Sequence, residues 1–485
     1  MSTFTRRQFL TTAALAAGSA SLLPGLTGCA TSRPIAAARA RGANEDIRVA
    51  VIGFNGRGAS HIAEFSKLPG VRLVALCDVD SQVLGREVQK RRERGEPVEG
   101  YRDLRKLLEN PNIDAVSIAT PNHWHSLAGI WAIQAGKDVY VEKPVSHNVH
   151  EGRKLVEAAR KYQRIAQTGT QSRSMASLRA AWAWIHEGHI GKIKIARGLC
   201  YKRRPSIGKV DGPQPIPPRI DYDLWCGPAL KLPLMREHLH YDWHWVWNTG
   251  NGDIGNQGVH EMDKSRWALG TTLPTRVFSI GGRLGYVDDG ETANTQMAVY
   301  DYGDALLIFE VRGLPERSGA KNMDQYRGES IGQVIECDGG YVAGTTAFDN
   351  DGKEIKKFTG PSDDHFANFI RAVRSRRVED LNADILQGHL SSALCHLGNI
   401  SYRLGRPADP DTLREQVKND SAALETLARM EDHLAANGVD LKKTELAIGP
   451  TLRFDPEKER FVGNSQANAL LTRHYRKPFV VPERV

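Results

Sequence analysis

The chain has 485 residues, too many for one ordinary hydrophobic core, so at least two domains are expected. Its composition, 40% hydrophobic and 25% charged with no low-complexity tract, is that of a globular protein. The formal charge is +8, but Lys and Arg are interleaved with Asp and Glu. The densest run, "QKRRERGE" near residue 90, reads as a solvated helix face, so nucleic-acid binding is not expected.

The N-terminal stretch "TRRQFLTTAALAAGSASLLPGLTGCA" pairs Arg6 with Arg7 ahead of an apolar, small-residue run. That run is short and Gly/Ser-rich for a membrane span and reads as a twin-arginine export signal over residues 1–28. "LTGC" resembles a lipobox, which would make Cys29 a lipidated first residue and the only membrane attachment. Ordinary cleavage near "AAARA" is the competing reading, and residues 29–45 form a tether in the lipobox case. The other five cysteines are scattered, odd in number and without a C-x-x-C pair, so neither a disulfide framework nor a zinc site is expected.

"IRVAVIGFNGRGASHIAEFSKL" is strand, glycine turn, helix, with Gly53, Gly56 and Gly58 in the turn. Such glycines let the backbone approach a pyrophosphate at a helix N-terminus. "VRLVALCDVD" supplies a second strand ending at Asp78. A carboxylate there accepts from ribose hydroxyls and repels a 2′-phosphate, which favours NAD over NADP, with nearby Arg57 able to blunt the preference. Further strand and helix units, "DAVSIATPNHWHSLAGIWAIQAG", "KDVYVEKPVSHNVHEGRKLVEAARKY" and "RIAQTGTQSRS", imply a doubly wound parallel sheet. Asp78, Thr120–Asn122, Glu142–Pro144 and Gly169–Gln171 then fall at the strand ends, around one crevice.

From about residue 190 the alternation gives way to strand-like runs separated by turns, an antiparallel sheet. Between its first strands lies a long excursion, about 204–250, rich in proline and aromatics. A loop of this length is usually functional, and its flat side chains suit the C–H faces of sugar rings. His240 and His244 have i, i+4 spacing, but the pattern is not helical and no carboxylate partner is evident, so no metal is expected. "GDIGNQGVHEMD" places Asp253, Asn256, His260 and Asp263 on one face of a single expected helix, with Asp253 as its N-cap. "GPSDDHFANFIRAVRSRR" and "NADILQGHLSSALCHLGNISYRL" are expected to be two amphipathic helices, and one long helix is expected at about 411–435. The apolar residues of the final tail suggest that it packs on the sheet domain or on a neighbouring subunit.

"GFNGRG", "CDVD", "ATPNHWH", "VEKPVS" and "GVHEMD" occur in the order found in the glucose-fructose oxidoreductase / inositol dehydrogenase / MocA family, which the chain resembles over roughly residues 46 to 405. The resemblance implies an NAD(P)-binding Rossmann domain (46–172), a sugar-binding α/β domain with a large open, mainly antiparallel sheet (173–405), and an extension (406–485). It implies oxidation or reduction of one hydroxyl of a sugar or cyclitol, homo-oligomers, and a cis bond before Pro144; the expected export, to where NAD(H) is not freely available, implies a tightly held cofactor. By motif match, Gly53, Phe54, Asn55, Gly56, Arg57, Gly58, Asp78, Thr120, Pro121, Asn122, His125, Glu142 and Lys143 bind the cofactor. Lys143 stabilises alkoxide charge on the reacting oxygen, and His260 takes the hydroxyl proton. Asn256 stands where relatives commonly have aspartate, so Asp263 is expected to orient His260. Arg203, Trp225 and Tyr241, with Asn256 and His260, are the substrate candidates. Two other outcomes stay open: a redox-neutral glycoside hydrolase or lyase that oxidises and re-reduces its substrate, and an inactive sugar-binding protein.

Overall fold

The computed structural model describes residues 45–485. The expected export signal, Cys29 and all but the last residue of the expected tether lie outside the described residues. The N-terminal domain is a six-stranded parallel sheet in the order β3-β2-β1-β4-β5-β6. Its strands are β1 (Ile47–Ile52), β2 (Val71–Cys77), β3 (Glu99–Tyr101), β4 (Ala115–Ile118), β5 (Asp138–Val141) and β6 (Ala166–Thr168). β4, β5 and β6 are buried at every position, as expected of strands covered on both faces. The covering helices are α1 (Arg57–Lys67), α2 (Ser81–Glu93), α3 (Leu104–Leu108), α4 (Asn122–Gln134) and α5 (Val149–Lys161). Strand order reverses between β1 and β4, and the loops at that switch point carry the expected ligand residues.

The second sheet is mixed and mostly antiparallel. Its central run is β11-β7-β10-β9-β8, from β7 (Ile193–Tyr201), β8 (Arg276–Gly282), β9 (Thr295–Asp301), β10 (Leu306–Arg312) and β11 (Ile331–Cys337). The one parallel pair in this run is β7 with β10. Further helices are α6 (Ala176–His186), α7 (Tyr222–Cys226), α8 (Gly252–Gly255), α9 (Gly258–Leu269), α10 (His365–Ser375) and α11 (Ile385–Arg403). α9 and α11 bury one face of the sheet, with Ala298, Tyr300, Leu307 and Phe309 against Val259, Met262, Leu394 and Leu397. α10 closes the base of the N-terminal domain, where Phe366 stacks on Tyr140 at 4.9 Å.

The helix expected at 411–435 is two helices, α12 (Pro410–Val417) and α13 (Ser421–Ala436). The chain restarts at Asp420, whose side chain caps the backbone N–H of Ala423. Both helices cover the opposite sheet face through Leu413, Leu427, Met430 and Leu434 on Ile280, Met297, Val299 and Ile308. The tail lies on both domains of its own chain. Leu452, Phe454 and Phe461 join the sheet core, and Phe479 and Val481 enter the core of the N-terminal domain. The five described cysteines are buried and unpaired. Among the described residues no helix is long and apolar enough to cross a membrane.

Candidate active site

The carboxyl ends of β1, β2, β4, β5 and β6 open on one cavity of about 530 Å³. One wall is Gly53–Arg57, Asp78, Thr120–Asn122, Glu142 and Lys143; the opposite wall is Trp225, Tyr241, His244, Asn256 and His260. The glycines have different tasks. Gly53 has φ +76, and a Cβ on it would lie 2.9 Å from Thr120; a Cβ on Gly58 would lie 2.0 Å from the Gly53 carbonyl oxygen. Gly56, the N-cap of α1, has open space where its Cβ would be, and neither a capping side chain nor a first-turn acid occupies that helix end. A dinucleotide fits these residues: a bare, positively polarised helix N-terminus faces the cavity beside a backbone that phosphate oxygens can approach closely.

Asp78 closes β2. Its Oδ2 accepts from the Phe54 N–H at 3.0 Å and its Oδ1 from the Asp80 N–H at 3.0 Å. Burial pushes its carboxyl up, against those two N–H groups. Each oxygen keeps a lone pair for a ribose hydroxyl. Arg57 turns away from this edge, its Nε donating to Glu142 Oε1 at 2.9 Å. Glu142 also accepts from His61 at 3.0 Å, from Gln171 at 3.3 Å and from the Lys143 N–H at 3.1 Å. Burial alone would raise that carboxyl, but His61, Lys143 and Arg57 hold it well below the usual range.

Lys143 precedes a cis proline bond, and its Nζ donates to the Asn256 carbonyl oxygen at 2.8 Å. Burial lowers its pKa, against the opposing charges of Glu142 and Glu261. His260 sits in the first turn of α9. Burial first, and then the charge of Lys143, push its imidazole down to about 3, so the ring is neutral at physiological pH. His125 lies between the Thr120 and Pro144 carbonyls, its ring nitrogens 2.7 and 2.6 Å from them, and its one N–H as a neutral ring can donate to either strand-end loop. Asn122 donates to Asn251 at 3.1 Å across the domain junction.

Four expectations need correction. Residues 252–263 are not one helix: the chain breaks at Asn256, with φ −89 and ψ −83, between α8 and α9. Asp253 is not an N-cap; Arg204 grips its carboxylate with Nε and Nη2 at 2.9 and 2.7 Å. The carboxylate of Asp263 does not reach the ring of His260. It is fully buried on Arg173, at 2.9 and 3.0 Å from Nε, and accepts from Ser391 at 2.7 Å. Arg203 is exposed and off the cavity. Its neighbour Arg204 points inward instead, because side chains alternate along extended backbone, and it donates to the Tyr241 hydroxyl at 2.9 Å. Trp225 lines the cavity but is 96% buried, stacked on Tyr222 and covered by Arg236.

Sequence reasoning missed Arg102, Asp103 and Leu104, which line the cavity from the turn after β3. An Asp capping the next short helix at a third parallel strand end was the available signal. Among the described residues no group of three or more His, Cys, Asp or Glu is arranged to hold a metal.

The fold and cavity define a class: a dinucleotide-binding Rossmann domain sharing one site with an α/β sheet domain. The chain belongs to the glucose-fructose oxidoreductase / inositol dehydrogenase / MocA oxidoreductase family, whose NAD-binding Rossmann fold matches residues 47–170 and whose C-terminal alpha/beta domain matches 191–430. It is similar to a glycosyl hydrolase family 109 protein of Saccharopolyspora erythraea, 32% identical over 209 residues, 40% of this chain and 45% of that one. It is also similar to myo-inositol 2-dehydrogenase of Thermotoga maritima, 24% identical over 55% of this chain and 74% of that one. The chain thus spans less than half the length of the family 109 proteins it matches. Among solved structures, the WlbA dehydrogenase of Bordetella pertussis, in complex with NADH and UDP-GlcNAcA, shares the fold with TM-score 0.54. That likeness is at 20% identity over 72% of this chain and 94% of that one.

Proposed function

We propose that this protein is an NAD-dependent oxidoreductase acting on one hydroxyl of a sugar, glycoside or cyclitol, with the cofactor held tightly through turnover and NADP disfavoured by Asp78. The observation that carries this reading is the placing of Lys143 and His260 in the same cavity as the glycine turn and Asp78. Gly53–Gly58, Asp78 and Thr120–Asn122 would hold the dinucleotide. When bound, it supplies a hydride acceptor. The chain's own groups do the rest. The Lys143 ammonium donates to the reacting oxygen and stabilises the charge that grows there as the C–H bond weakens. Its lowered pKa brings proton exchange closer to neutral pH. His260, a neutral imidazole, accepts the hydroxyl proton. Tyr241 and Trp243 offer flat apolar faces to the ring carbons.

A second reading is a redox-neutral glycoside hydrolase or lyase, in which the substrate is oxidised, loses its aglycone and is reduced again. The 32% identity to a family 109 glycosyl hydrolase favours it. One experiment tests both: the mature protein, assayed for bound nucleotide, is incubated with free sugars, cyclitols and aryl glycosides. Net absorbance at the reduced-nicotinamide band supports oxidoreduction; aglycone release without it supports the second reading. Protein that binds no dinucleotide overturns both.

We also propose export through residues 1–28 with lipidation at Cys29, checked by mass spectrometry of the mature N-terminus, and a homo-oligomer, checked by sedimentation.

A further inference from the structure

The wall of the cavity facing the glycine turn is made largely by the excursion 204–250, through Leu224, Trp225, His240, Tyr241, Trp243 and His244. Apart from α7 and one short 3-10 turn, Asp242–Trp245, this segment has no regular helix or long strand to hold it in place. Residues outside its core hold it at several points, among them Asp288, Asp289 and Glu291 on the sheet-domain side. Three further fastenings bear on the wall that faces the glycine turn, and two of them come from the tail that carries no catalytic group.

The first fastening lies beside Asp78. Arg219 Nε donates to Asp80 Oδ2 at 3.0 Å, the Ser81 N–H donates to the Arg219 carbonyl at 3.0 Å, and the Asp221 N–H donates to the Val79 carbonyl at 3.2 Å. Ile220 is buried here with Trp225, Cys226, Leu234 and Leu239 against Val79. The excursion is therefore stitched to the edge that meets the ribose.

The second fastening comes from the tail. Arg476 donates from Nη1 to Asp223 Oδ1 at 2.8 Å and from Nη2 to the Asp223 carbonyl at 2.7 Å. Three residues on, Phe479 is 1% exposed, with its ring centroid 5.5 Å from that of Trp124. Trp124 lines the cavity, and its indole N–H donates to the Leu224 carbonyl at 2.9 Å. The guanidinium groups of Arg105 and Arg476 lie 5.2 and 4.8 Å from the Phe479 ring centre. The third fastening is Arg473, which donates to Asn248 Oδ1 at 2.8 Å near the far end of the excursion.

We infer that the tail segment 473–485 and the excursion together form a clasp that sets how long the bound dinucleotide stays in place. The inference rests on the reading of the cavity as an NAD site. None of Arg219, Arg473, Arg476 and Phe479 lines the cavity. Their removal takes away no group that lines the cavity and loosens the wall. A change in a fastening that touches no ligand acts on release more than on encounter.

The test uses the full mature holoprotein carrying Arg219→Ala, Arg476→Ala, or both, with exchange of bound NAD against isotopically labelled NAD followed by mass spectrometry. Exchange is expected to be about tenfold faster in each single variant and faster again in the double variant. Phe479→Leu, which keeps a buried apolar group, provides a folded comparison if an arginine variant is unstable, and is expected to speed exchange as well. Unchanged exchange in folded double-variant protein, with only a lower melting temperature, overturns the clasp and leaves the tail a structural role. Wild-type protein that loses its NAD within one gel-filtration run also overturns it. Wild-type protein that never carries NAD defeats instead the reading of the site on which the clasp rests.

Discussion

Arg173 and Asp263, ninety residues apart in sequence, form a buried two-pronged ion pair, with Arg173 Nε and Nη2 both 2.9 Å from the carboxylate. The pair ties α9 to the turn after β6. His260 stands one turn before Asp263 on that helix, so Asp263 is a positioning residue that acts through the helix. Asp263→Asn would leave Arg173 and Arg266 buried without an anion, at a cost of about 3–5 kcal/mol. The melting temperature should fall and kcat with it. The acid limb in kcat/KM should move slightly down, because the ring loses no hydrogen bond but does lose the Asp263 charge that raises its pKa.

The glycine turn predicts two unlike results. Gly58→Ala puts a methyl group against the backbone of Gly53 and should destabilise the protein by about 1–3 kcal/mol. Gly56→Ala meets open space within the fold, so thermal stability should stay within about 0.5 kcal/mol of wild type. It narrows the cavity where a pyrophosphate would lie, and the Kd for NAD, measured by titration calorimetry, should rise about tenfold.

Lys143→Ala and His260→Ala should each lower kcat by about 10²–10⁴-fold while NAD still binds. The wild-type acid limb should lie well below the ordinary imidazole value of about 6.5, since burial and then Lys143 push His260 down to about 3. Asn256→Asp restores the carboxylate that the resemblance leads one to expect. It should raise the imidazole pKa and move the acid limb up by about one unit, read from pH profiles of kcat/KM.

Glu261 is 2% exposed, its Oε2 has no hydrogen-bond partner, and burial pushes its carboxyl up to about 7 from 4.5, against the charge of Lys264 at 3.5 Å. A carboxyl raised on folding contributes stability that is fully present below its unfolded pKa and lost as pH rises through the folded one. Glu261→Gln removes that dependence. Wild type and variant should differ by a constant well below pH 4.5, and the variant should gain on the order of 3 kcal/mol relative to wild type by pH 8. Chemical denaturation at several pH values measures the difference.

Much of the N-terminal half was legible in the chain itself. Local chemistry decides it: β-branched runs form buried strands, Gly53 and Gly58 satisfy demands of their own turn, and Asp78 follows its strand at once. Lys143 was readable only through its motif, since a lone lysine at a strand end is more often a solvated charge. The segment 252–263 was not legible. Its spacing suits one helix, but the chain breaks at Asn256, whose carbonyl accepts from Lys143, more than a hundred residues away. Asp253 and Asp263 looked like a cap and a helper of His260, and both were claimed by distant arginines, Arg204 and Arg173.

Sequence by itself determined the order of the two domains and the cofactor-facing strand ends, because those depend on periodicity and on residues close together in the chain, and five short motifs in order carried the resemblance to the family. Tertiary structure alone decided which charged groups remain available for chemistry. A buried carboxylate is strongly driven to pair with whichever cation the fold brings to it, since the alternative is an uncompensated charge in a low dielectric, and that partner's distance along the chain leaves no mark on local pattern.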